Sequence, residues 1–170
     1  EGTGCTYHGT VVINGMAEKF SLTLGKGFRS PQAFKAKDIT YKRNFSMKSG
    51  NKINAAGWEA IVLPFDVQSF SNEKQGELAP FNSGKKGAKP FWLAQMTTDG
   101  FEHTTAMKAN KPYIISLPNS ESYEDEFNIS GEVQFHAEDA DGVEVKATSY
   151  KELARIEGSN RIMVPAYETV

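Results

Sequence analysis

The run Trp58–Val67, W-E-A-I-V-L-P-F-D-V, limits what this chain can fold into more than any other stretch. Ile61, Leu63, Phe65 and Val67 recur at the period of a strand, while Ala60 and Val62 fill the opposite side. Apolar side chains on both faces predict a strand covered on both sides and central in its sheet. Pro64 works against that placement, because proline has no N–H to give a ladder and belongs at an edge, a bulge or a strand end. Regular pairing is therefore expected to break near Pro64, with Phe65 and Val67 still packing inward. Two further strand-like runs, K-P-F-W-L-A-Q-M (Lys89–Met96) and K-P-Y-I-I-S-L-P (Lys111–Pro118), both open on lysine, proline and an aromatic ring.

Turn chemistry points to an all-β chain. Asn14-Gly15, inside Thr10–Phe20, supplies the two positive-φ positions of a type I′ hairpin. Similar pairs at Asp99-Gly100 and Asp141-Gly142 predict hairpins joining Phe91–Met96 to Phe101–Thr105, and the two halves of Phe135–Ala147. From Phe127 to Phe135 the alternation is clean: Phe127, Ile129, Val133 and Phe135 on one face, polar residues on the other. Only Ser149–Ile156 has helical composition. Lys48–Gly57 and Asn72–Lys89 read as long polar loops. The expected fold is an antiparallel β-sandwich, jelly-roll-like or Ig-like, with at most one short helix and one domain over residues 1–170.

Composition narrows the function classes. A net charge of −2 gives no electrostatic case for nucleic acid or an anionic membrane, and no apolar run reaches the length of a membrane helix. Cys5 is the only cysteine, so no disulfide can form within the chain. The opening Glu1-Gly2-Thr3-Gly4-Cys5 reads as a piece excised from a longer multidomain polypeptide or as a processed end.

Candidate chemistry is sparse. His8, His103 and His136 lie far apart and without metal-ligand spacing, so no metal and no cofactor is implied. Glu138, Asp139 and Asp141 resemble half of a calcium loop but lack its distal glutamate, and an Asp-Gly turn explains the same residues. Glu124, Asp125 and Glu126 are consecutive, whereas a glycosidase needs two carboxyls facing each other across a cleft. No nucleophile elbow or phosphate loop is present, and no catalytic residue is assigned. Aromatic residues are the one reservoir: Trp58, Trp92, Phe81, Phe91, Tyr113 and Tyr123. An exposed ring can stack on the apolar side of a pyranose, and Trp92, with Phe91 and Tyr123, is the candidate carbohydrate site.

Four segments in order, Tyr41–Ser46, Trp58–Val67, Phe101–Pro118 and Phe127–Phe135, resemble a module recurrent in secreted proteins of gut and oral Bacteroidetes. That resemblance covers residues 41–135 and carries no catalytic motif. It implies a secreted or cell-surface location, a sandwich-type fold and a non-catalytic adhesion, spacing or assembly role. Neighbouring domains of the same polypeptide are the implied partners, with glycans or host surface proteins as further ones. Membrane insertion and nucleic-acid binding are not expected. The alternatives are a carbohydrate-binding module and a calcium-stabilised adhesin domain.

Overall fold

A computed structural model describes residues 4–7, 10–24, 28–50, 56–148, 156–157 and 162–163. All regular elements among them are strands. The first four are β1 (Gly4–Tyr7), β2 (Thr10–Ile13), β3 (Met16–Thr23) and β4 (Phe34–Asn44). Next come β5 (Glu59–Ile61), β6 (Ser69–Asn72), β7 (Gly76–Pro80), β8 (Lys89–Thr97) and β9 (Gly100–His103). After them lie β10 (Tyr113–Ser116), β11 (Glu132–Val145), and the short pair β12 (Ile156–Glu157) and β13 (Ile162–Met163). The helix expected over Ser149–Ile156 falls outside the described residues, apart from Ile156, which is in β12.

Eleven strands join in one sheet, in the order β1-β2-β3-β4-β11-β6-β7-β8-β10-β5, with β9 also paired to β8. The class is all-β, but the pairing is mixed rather than antiparallel throughout: β3–β4 and β7–β8 run parallel. Both parallel pairs lie where the chain makes a connection longer than a tight hairpin, which is the geometry a parallel neighbour requires. The β2–β3 hairpin turns at Asn14 and Gly15, both with positive φ (51° and 76°), as their sequence predicts. At the next hairpin the register Thr97↔Gly100 puts Thr98 and Asp99 at the tip, one residue earlier than the Asp-Gly pair implies.

The Asp141-Gly142 hairpin does not form. Instead β11 runs on through it, pairing with β4 from Glu132↔Asn44 to Glu138↔Asp38 and again from Val143↔Ala36 to Val145↔Phe34. Asp139–Gly142 is a bulge in that one long strand, and Asp139 Oδ1 accepts a hydrogen bond from Asp141 N (2.7 Å). Positive φ at Gly142 (84°) serves the bulge as it would a turn, which is why the dipeptide could not tell them apart. Similarly, the stretch Asn72–Lys89 contains β7, and is not one continuous loop.

Trp58–Val67 is corrected most. Its ladder covers only Glu59–Ile61, and β5 ends the strand order instead of occupying its centre. Beyond Ile61 the chain crosses toward β11 on four isolated backbone bonds to two segments, the loop before β10 and the β11 stretch: Asn110 N to Leu63 O (2.8 Å), Lys146 N to Pro64 O (2.7 Å), Val67 N to Met107 O and Gln68 N to His136 O (both 3.0 Å). Regular pairing is lost before Pro64, ending at Ile61, and as expected Phe65 packs inward, fully buried like Leu63, with Val67 partly buried against the core. Leu63 and Phe65 thus record a strap through the core, not a central strand, and the second side is not covered: Ala60 is exposed and Val62 half-buried.

One contiguous core links the two ends of the strand order, from Val12 and Phe20 through Phe70, Phe135 and Leu93 to Ile61 and Ile115. Phe135 is its aromatic hub, with Tyr41, Phe45 and Phe70 at centroid distances of 5.6–6.1 Å. The sheet curls so that β4, fourth in the order, meets β5, the last. Arg43 makes the junction: Nη1 donates to Ala60 O (2.8 Å) and Nη2 to Glu59 Oε1 (2.7 Å).

Candidate functional site

The site follows from a change of partner along β8. Its first residues, Lys89–Phe91, pair with β7, and Trp92–Gln95 pair with β10. Phe91 points into the core and is 1% exposed, so the pleat turns its neighbours Pro90 and Trp92 to the other face. Phe81 follows directly after β7, where its N–H donates to Phe91 O (2.7 Å). Pro118 lies just past β10. Where the two ladders part, the sheet therefore leaves a gap floored by Pro90 and Trp92.

A compact loop forms the opposite wall. Its neck is closed by Ile129 N donating to Pro118 O (2.8 Å) and Asn128 Nδ2 donating to Ser120 O (3.1 Å). Inside, Phe127 N and Asn128 N both donate to Glu124 O, and Gln75 Nε2 from the β6–β7 turn donates to Asn128 O (2.7 Å). This loop presents Tyr123, Glu124 and Phe127. The result is a cleft of about 450 Å³ lined by Phe81, Pro90, Trp92, Pro118, Tyr123, Glu124 and Phe127. Trp92 and Tyr123 are half-buried, with centroids 5.7 Å apart and planes inclined by 53°. Phe81 and Phe127 are 50% and 39% exposed, unusual for phenylalanine in a chain with a well-filled core. The Lys89 ammonium lies 5.4 Å from the Phe127 centroid.

Of the three residues assigned to a carbohydrate site, the structure brings Trp92 and Tyr123 together and removes Phe91. The correction has a simple cause: adjacent residues of a strand cannot both face outward, and Phe91 is the one packed on Phe70 (5.1 Å). Tyr113 is also core, and Trp58 stands apart beside His103 (6.3 Å). Sequence reading missed Phe127, because the clean alternation from Phe127 to Phe135 placed it on the buried face. The strand begins only at Glu132, after Gly131 at positive φ (87°), so the alternation says nothing about Phe127.

Other candidates offer less. A hollow of about 580 Å³ over β2 and β3, including Val11, Ile13 and Met16, contains no aromatic ring. His136 Nε2 sits 3.1 Å from Asp38 Oδ1 on the outer sheet face, and His8 lies outside the described residues. Among the described residues no three His, Cys, Asp or Glu side chains are gathered as a metal site, and Glu124 is the single carboxylate lining the aromatic cleft. No helix among them is long and apolar enough to cross a membrane. Comparison with protein families, curated proteins and solved structures finds no match to this chain.

Proposed function

We propose that this chain is a non-catalytic binding module of a bacterial secreted or cell-surface protein, and that it holds a saccharide in the cleft between Trp92 and Tyr123. The observation that carries the reading is the convergence of four partly exposed aromatic rings from three separate segments at one place. The C–H faces of a pyranose gain contact on such rings while its hydroxyls stay at the polar rim. Tyr123 and Glu124 line the cleft, and a phenol and a carboxylate are acceptors for sugar hydroxyls. A volume of about 450 Å³ lies within the usual range for small-molecule sites, about 300–1,000 Å³. The bacterial surface context rests on the resemblance of residues 41–135 to modules of such proteins.

A glycan array probed with the protein and its Trp92→Ala and Tyr123→Ala variants tests this. Binding to at least one neutral glycan, lost in both variants while thermal melts stay within a few degrees, is the expected result. A blank array, or binding that survives both substitutions, would remove the reading and leave a spacing or assembly role.

A further inference from the structure

We infer that the same cleft is an aromatic cage for a quaternary ammonium group, a chemistry that does not depend on the saccharide reading. A cation is attracted to the face of an aromatic ring within about 6 Å of its centroid, and tryptophan is the strongest such ring. Trp92 and Tyr123 pack on each other, 5.7 Å apart and inclined by 53°, and both line the cleft, so a cation held against the pair meets two rings at once. Phe81 and Phe127 add two more rings to the lining. Lys89 does not line the cleft, but its Nζ lies 5.4 Å from the Phe127 centroid, so that ring already attracts an ammonium. Among the described residues no side-chain cation lies over Trp92 or Tyr123.

Charge selects the occupant. Glu124 is the only charged side chain lining the cleft, and among the described residues its carboxylate has no ion pair and no hydrogen-bond partner. An unpaired carboxylate beside apolar rings favours a cation and disfavours an anion. A methylated ammonium fits better than a bare one, because it is weakly hydrated and its methyl groups bury apolar surface against the rings.

The test uses choline and 3,3-dimethylbutan-1-ol, which share a shape and differ in charge. Trp58→Phe leaves Trp92 as the sole tryptophan, so its emission reports the cleft directly. At constant ionic strength choline should change Trp92 emission saturably and bind about tenfold tighter than the alcohol. Glu124→Gln should weaken choline several-fold and leave the alcohol unchanged, and Tyr123→Ala should weaken both. The alcohol binding as tightly as choline, or no saturable change with choline in a cooperatively folded protein, would overturn the inference. Neutral oligosaccharides titrated into the same variant test the saccharide reading separately, so either can fail alone.

Discussion

Arg43 shows how much of this fold hangs on single side chains. Its guanidinium joins β4 to β5, stands 4.7 Å from the Phe45 centroid, and faces Glu59, whose other carboxylate oxygen accepts from Met47 N (3.0 Å). The side chains of Arg43 and Glu59 are only 16% and 10% exposed. Removing one partner would strand a charge in a poorly solvated place, whereas removing both need not. Arg43→Met or Glu59→Gln alone should destabilise by about 3 kcal/mol in urea unfolding, and the double variant by less than the sum. Glycines make a second comparison. Gly57 has φ +74°, and a Cβ there would meet Lys48 backbone atoms at 2.6 Å; Gly76 has φ +72° and open space around it. Gly76→Ala should therefore cost about 1 kcal/mol and Gly57→Ala clearly more, since backbone cannot step aside as a flexible side chain can.

The element that most needs explanation is the strap Val62–Gln68. Besides its isolated backbone bonds, Asp66 pins it to the turn before β10: Ala109 N donates to Oδ1 (2.8 Å) and Lys108 Nζ to Oδ2 (2.7 Å). Partial burial pushes the Asp66 carboxyl up. The Lys108 and Ala109 hydrogen bonds and the charges of Lys108 and Lys146 together outweigh it, leaving the group below the usual carboxylate range. A carboxyl lowered on folding stabilises above its unfolded value, near 4, and loses that contribution as pH falls through its folded value. Asp66→Asn should thus cost about 1 kcal/mol at neutral pH and flatten the acid limb of the stability profile below about pH 4. Fully buried Phe65 tests the strap's packing, and Phe65→Ala should cost about 3–5 kcal/mol.

Legibility at this scale followed the range of the forces. Asn14-Gly15 and the break near Pro64 were readable because φ preferences and a missing N–H act locally. The strap and the β11 bulge were not, because a residue buried by crossing the core carries the same apolar signature as one in a central strand. Asp-Gly likewise marks positive φ without saying whether the chain reverses there. The cleft was half legible: composition pointed to Trp92 and Tyr123, but only the partner change along β8 decides that Phe91 is core and that Phe127 joins them.

At the scale of the whole molecule, the curl of the sheet and the parting of ladders at β8 are connected. A single strand that serves β7, β10 and β9 lets one sheet wrap around the Phe135 core, and the gap left at the changeover is where aromatic rings stay partly exposed. The core accounts for the buried aromatics, while the cleft accounts for Trp92, Tyr123, Phe81 and Phe127. The claim that this cleft is the binding site is most directly tested by titrating Trp58→Phe protein with soluble neutral oligosaccharides and choline, following Trp92 emission alongside calorimetry. A saturable emission change whose midpoint matches the calorimetric one is predicted for at least one of these ligands. Calorimetric binding with Trp92 emission unmoved, or no binding of any of them to the folded protein, would contradict it.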